Sequence, residues 1–233
     1  MTSTRSSPSD GPHPAASSSI AAWIAQSPDE SGELRYGPVP SDEGSLRLLG
    51  QLTSKRLLLL GSGTGALPVI ATRRGAKVIC VEPDEALLAQ ARRSCSEAGL
   101  NLEMYQRDFA ELASVRADTV DVVMSVLEFA GVADLSRVFR QVHRVLHPEA
   151  PLVFSLPHPT RAVEAGANLP LAWTHNGHRG LDYGHSIEAV FTALVRTGFR
   201  VDNLLELHDN SPSPFPAVLL LRARRLGAHP GAS

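Results

Sequence analysis

The chain has 233 residues, 43% of them hydrophobic, and its 22 basic and 24 acidic side chains leave a formal charge of −2. A chain of that length can bury a core of its own, and one α/β domain with a tail accounts for it. The balanced charge and a sequence pI near 6.5 exclude a polycationic surface for nucleic acid or anionic membrane, which leaves a small neutral or mixed-charge partner. Lys55 and Lys77 are the only lysines, so the basic side chains are nearly all arginine, a matter of coding bias rather than of phosphate ligands. Cys80 and Cys95 fall in a predicted buried strand and a predicted helix, contexts that suit reduced thiols and a cytoplasmic home. Apolar runs such as 57–60 and 217–221 are strand-sized and far below the roughly 18 residues of a membrane helix.

Taken in chain order, residues 1–33 are rich in Ser, Pro and Gly and read as a disordered tail with one apolar segment around Trp23. The stretch offers neither a basic n-region nor an apolar core of signal-peptide length. Ser41 is placed to cap a helix in which Leu46, Leu49 and Leu52 recur at helical spacing. Strand and helix signals then alternate: strands at 56–60, 77–81, 102–106, 120–125 and 152–155, with helices at 66–74, 84–96 and 135–146. Gly75 and Gly99 stand where helices stop, and Asp84 where one starts. A helix at 187–197, a strand at 200–205 and a last strand near 217–222 complete the domain, expected over 34–228 and followed by a short tail at 229–233. Seven strands alternating with helices predict a doubly wound, mostly parallel, Rossmann-like sheet, and the missing helix before the last strand predicts an antiparallel strand at its edge.

In such sheets ligands lie outside the carboxyl ends of the strands. The first strand runs into Gly61-Ser62-Gly63-Thr64-Gly65 at the start of a helix, where bare backbone N–H groups accept a close ligand. Glu82 ends the second strand about twenty residues on, the place of a carboxylate that accepts ribose hydroxyls. Because Ala66 also completes a dinucleotide fingerprint, a nicotinamide oxidoreductase stays open at the loop itself. The third strand is followed by Arg107-Asp108-Phe109, an acid able to accept an exocyclic amine beside a ring able to pack on a base.

With these residues the segment 36–227 resembles the class I S-adenosylmethionine-dependent methyltransferases, and among them the small-molecule, type 11-like members. The resemblance implies that Gly61, Ser62, Gly63 and Gly65 cradle S-adenosylmethionine, that Glu82 takes its ribose, and that Asp108 and Phe109 form its adenine site. It further implies that 121–125, ending in Ser125, is the fourth-strand motif. One departure stands out: the family usually carries an acid two positions before the first glycine, and here that residue is Leu59, with Glu43 a candidate substitute. The implied reaction is methyl transfer to a small-molecule acceptor with no metal, no nucleic acid and no membrane; a catalytically inactive binding or regulatory relative is the alternative. A general base helps a hydroxyl or amine acceptor. His158, nearest the fifth strand, is the first candidate in a stretch that also holds His175, His178 and His185. That long stretch, aided by Tyr36, is expected to roof the acceptor pocket.

Overall fold

The computed structural model describes residues 32–63, 65–164, 169–175 and 178–227, and side chains throughout these except at 162–164, 171–175 and 178–180. Residues 1–31 of the expected N-terminal tail with its Trp23 segment, Thr64, the expected C-terminal tail at 229–233 with residue 228 before it, and the side chains of His175 and His178 lie outside the described residues.

The order of elements is α1 (Glu43–Leu46), β1 (Arg56–Leu60), α2 (Ala66–Arg73), β2 (Lys77–Val81), α3 (Glu85–Glu97), β3 (Glu103–Tyr105) and β4 (Val122–Val126). A single 3₁₀ turn, Glu128–Gly131, leads into α4 (Leu135–Val145), β5 (Pro151–Pro157), α5 (Pro159–Glu164), β6 (Leu171–His175) and β7 (His178–Asp182). The chain closes with α6 (Ile187–Arg196), β8 (Phe199–Leu207) and β9 (Val218–Arg225). One seven-stranded sheet has the order β3-β2-β1-β4-β5-β9-β8, with β6 and β7 as a separate antiparallel hairpin. Pairings from β3 through β5 are parallel, whereas β9 runs antiparallel to both β5 and β8.

The last strand is therefore antiparallel, but it lies between β5 and β8 rather than at the edge. Its sequence explains the place: Val218, Leu219, Leu220, Leu221 and Ala223 are all buried, as a strand covered on both faces requires, while β8 after the buried Phe199 alternates exposed and half-buried positions like an edge. Along β8 the register skips Asp202, whose carboxylate takes Arg222 at 3.0 Å and Arg224 at 2.8 Å. Arg225 pairs with Asp118. Arg222 and Arg224 thus serve the pairing of β8 with β9, and Arg225 ties β9 to the loop before β4.

Alternate residues of the buried strands feed two cores. On one face Leu58, Leu60, Val81 and Val123 meet α4 and α6 through Val138, Phe139, Val190 and Leu194. Five of the seven phenylalanines form a cluster here, with Phe129, Phe139 and Phe154 in mutual contact, Phe109 against Phe129 and Phe199 against Phe139, at centroid distances of 5.4 to 6.3 Å. Such pairs each add about 0.5–1.5 kcal/mol beyond burial. On the other face Leu57, Leu59, Cys80 and Met124 meet Ile70 and Ala71 of α2 and the segment carrying Leu34, Tyr36, Leu48 and Leu52.

That segment departs from expectation. The cap is Asp42, which accepts from the Ser45 amide at 2.8 Å, and the helix stops after one turn at Arg47, with φ of 52°. Glu43 is the reason: its buried carboxylate accepts from the amides of Leu48 (2.9 Å), Leu49 (2.8 Å) and Gly50 (3.3 Å) and from the Tyr36 hydroxyl. A carboxylate taken out of water needs several donors, and these amides supply them only if the chain leaves the helix.

Candidate functional site

The carboxyl ends of β1, β2 and β4 meet at one place, and the loop after β1 is shaped for it. Gly61 (φ 100°) donates to Val81 O at 2.9 Å, which draws the turn across to β2. A methyl group on Gly61 would stand 2.1 Å from Glu128 Cγ and 2.8 Å from its Oε1, so glycine here makes room for that side chain. Gly63 also has positive φ, at 50°. Gly65 (φ 90°) caps α2, and a methyl there would meet Ala91 Cα at 2.8 Å, so this glycine lets α2 and α3 approach.

Glu82, 2% exposed, follows β2 and points into the loop. Its Oε2 accepts from the Ser62 amide (2.8 Å) and hydroxyl (2.9 Å), and its Oε1 from the Asp84 amide (3.0 Å). A carboxylate offers about four acceptor positions, so one remains for a ligand hydroxyl. Burial raises the Glu82 carboxyl above the usual carboxylate range against the pull of these donors. Ser62 is fully buried, and Asp84 caps α3 through the amides of Ala86 and Leu87.

Asp108 is exposed after β3 and turns back to accept from the Ala110 amide at 2.7 Å. Phe109 is 6% exposed and meets Phe129 edge-on, with centroids 6.1 Å apart, so its ring belongs mainly to the core. Ser125, on β4, is buried and donates to Leu60 O at 2.8 Å, tying β4 to the end of β1. Asp121 lies at the opposite end of the sheet, where it accepts from Arg56 N at 2.8 Å and pairs with Lys55 at 3.3 Å.

Two sequence expectations need correction. Glu43 cannot stand in for the missing acid at Leu59, because its carboxylate is filled by Tyr36 and three backbone amides. Tyr36 does not roof a pocket, because it is fully buried in the core and donates to Glu43. Leu59 itself is 1% exposed and packs in the same core.

His158 follows β5 and is 3% exposed. The Thr160 amide (3.3 Å) and hydroxyl (2.6 Å) address Nδ1, which assigns the proton to Nε2, and Nε2 donates to Glu206 Oε1 at 2.8 Å. Neither nitrogen is open to take a proton until one of these partners moves. The residues beyond it form α5 and the β6/β7 hairpin. The Tyr183 amide donates to Ala130 O at 2.9 Å and His185 Nε2 to Val132 O at 2.7 Å, so the end of this excursion is fastened to the 3₁₀ turn after β4.

Sequence reasoning missed Glu128, the first residue of that turn. Its carboxyl lies over Gly61 and has no hydrogen-bond or ion-pair partner among the described residues. Burial, then the charges of Glu82 and Asp84, raise it well above the usual range. The available signal was an acid two residues beyond a buried fourth strand, at the same sheet edge as the glycine loop.

A model of a methyltransferase domain matches residues 57–149, which contain the glycine loop, Glu82, Asp108 and Glu128. The chain is 36% identical over 104 residues to a ubiquinone biosynthesis O-methyltransferase of Hahella chejuensis, covering 45% of this chain and 44% of that protein. A protein of the same name from Nitrosococcus oceani is 28% identical over 173 residues, 71% of this chain and 72% of that one. Several of the matches are of the shorter kind, and over them the chain spans about half the length of the curated relatives it matches. Among solved structures, an S-adenosylmethionine-dependent methyltransferase from Mesorhizobium loti superposes with a TM-score of 0.62 at 24% identity, covering 78% of this chain and 96% of the other. The methyltransferase-domain match, which includes the glycine loop, favours S-adenosylmethionine over the dinucleotide reading there. The family model, which covers residues 57–149 of the 233, and these relatives support a class I S-adenosylmethionine-dependent methyltransferase.

Proposed function

We propose that this chain transfers the methyl group of S-adenosylmethionine to a small-molecule acceptor, with Gly61, Ser62, Gly63 and Gly65 cradling the cofactor, Glu82 on its ribose, and Asp108, Phe109 and Ser125 completing its site. The observation that carries the reading is the buried Glu82 carboxylate, held by three donors beside a glycine loop with positive φ at Gly61, Gly63 and Gly65. When bound, the cofactor supplies a sulfonium methyl group already activated for in-line displacement. The protein's part is to hold nucleophile and methyl in line and to exclude water. The excursion from α5 through the β6/β7 hairpin, fastened beside Glu128, is the natural cover for an acceptor. His158 serves as general base for a hydroxyl or amine acceptor if Thr160 swings off Nδ1. Two relatives carry names for O-methyl transfer, which makes hydroxyl compounds the first acceptors to screen.

The buried free thiols Cys80 and Cys95 fit a reducing compartment, and we place the protein in the cytoplasm. No helix among the described residues is long and apolar enough to cross a membrane. The domain is taken to span 34–228.

The test is mass-spectrometric detection of a 14 Da adduct (one CH₂) on acceptors from a hydroxyl-compound panel, for the intact chain and for a chain with the hairpin replaced by a Gly-Ser linker. Turnover by the intact chain, and cofactor binding without turnover by the shortened one, are expected. A second reading, a binding protein that keeps the cofactor site without chemistry, is favoured by the fully partnered His158. Cofactor binding with no product across the panel selects it.

A further inference from the structure

The proposed cofactor site lacks an acid where the family carries one. The acid that the family carries two residues before the first glycine is Leu59 here, fully packed in the core. Glu43 is spent on Tyr36 and backbone amides. Yet a carboxyl group does stand over Gly61: that of Glu128, reached from the other side, from the turn after β4.

The order of the sheet says which end of the cofactor it meets. Adjacent strands run β3-β2-β1-β4, and their carboxyl ends carry, in that order, Asp108, Glu82, the glycine loop and Glu128. With the adenine assigned to Asp108 and the ribose to Glu82, the remaining amino-acid end of the cofactor falls toward β4. That end carries an α-ammonium group. Glu128 has no cation of its own among the described residues, and it faces two further acids, Glu82 and Asp84. A half-buried carboxyl that stands over Gly61 and faces two other acids is the natural seat for a positive partner.

Resting on the cofactor reading above, we propose that Glu128 is the counter-charge for the α-ammonium group of the bound methionine moiety, taking from across the sheet the position that Leu59 has vacated. The role is positioning: the ion pair holds the amino-acid end, and with it the sulfur, while the methyl group points toward the excursion over β4 and β5. The same turn is fastened to that excursion by Tyr183 and His185, so cofactor and acceptor cover share one support.

Calorimetric titration with three probes separates the possibilities: S-adenosylmethionine, S-adenosylhomocysteine, which keeps the ammonium but lacks the sulfonium charge, and 5′-methylthioadenosine, which lacks the amino-acid end. Glu128→Gln is expected to weaken the first two by the same factor, about tenfold or more, and to leave the third within twofold of wild type. Unchanged affinity for all three overturns the proposal, as does equal weakening of all three, which would report general damage to the site. Weakening of S-adenosylmethionine alone also overturns it, by assigning Glu128 to the sulfonium. Wild-type protein that is folded by circular dichroism and binds none of the three overturns the cofactor reading itself, and this proposal with it.

Discussion

Replacing Glu82 by Gln preserves the shape of the side chain and removes its charge, so its effect can be worked out from three hydrogen bonds. Oε2 takes the Ser62 amide and hydroxyl, and Oε1 takes the Asp84 amide. A glutamine presents one acceptor oxygen and one donor nitrogen. With its oxygen toward Ser62, the NH₂ group confronts the Asp84 amide; with its oxygen toward Asp84, it confronts the Ser62 amide. Either orientation leaves a buried donor unmatched, at about 1–3 kcal/mol. Part of this is offset because burial already penalises the charge that the substitution removes. A net loss of about 1–2 kcal/mol lowers the melting midpoint of a chain this size by about 2–8 °C. Affinity for S-adenosylhomocysteine falls further, since a neutral acceptor replaces a charged one toward the ribose, at a cost of about 1.4 kcal/mol or tenfold in Kd. Differential scanning calorimetry and isothermal titration read the two numbers. A midpoint within 1 °C (about the resolution of a 0.3 kcal/mol change) together with an unchanged Kd would refute the reasoning.

Glu43→Ala strands the Tyr36 hydroxyl and the Leu48 and Leu49 amides in the core, and a loss of about 3–5 kcal/mol is expected in urea denaturation; a loss below 1 kcal/mol would show that the segment closes without it. His158→Ala removes the cap on α5 and the bond to Glu206, and about 1–2 kcal/mol of stability with them. An unchanged melting midpoint in that variant would release His158 from structural duty. The raised carboxyls of Glu128 and Glu82 mean that the ligand-free folded state binds more protons than the unfolded one above the unfolded carboxylate value of about 4.3, so their contribution to stability is lost as pH rises through the folded values. Asp84 is the third acid whose charge acts on both. Glu128→Gln is therefore expected to flatten the decline of melting midpoint with rising pH and to raise the midpoint at neutral pH; parallel curves for the two proteins would exclude a folded-state shift at this residue.

The strands of the parallel part were legible because burial on both faces writes itself as unbroken runs such as 57–60 and 78–81, and the helices between them because Gly75, Asp84 and Gly99 punctuate them. The glycine loop and Glu82 were legible as a pair, since strand length sets their separation. Less visible were features whose cause is distant in the chain. The helix expected through Leu52 ends at Arg47 because a single carboxylate competes for its amides. The β6/β7 hairpin went unread in the histidine-rich stretch, because His178–Asp182 carries no strand pattern and Asn176-Gly177 alone gives the hairpin signal. Glu128 follows a buried strand with no motif of its own, and only the turn that lays it over Gly61 gives it a role.

The position of β9 has a consequence for biosynthesis. The strand that joins β5 to β8 is the last of the sheet to leave the ribosome, and Leu152 must wait for Ala223 before its second neighbour exists. Until then the nascent chain exposes two unpaired strand edges, one of them the mostly apolar β5, and the core around Phe154 and Phe199 stays open. A chain stalled or truncated before Val218 is thus expected to be a substrate for chaperones and proteases rather than a smaller working enzyme, and cleavage assays on ribosome-bound chains of increasing length would place the onset of protection after Arg225 has emerged.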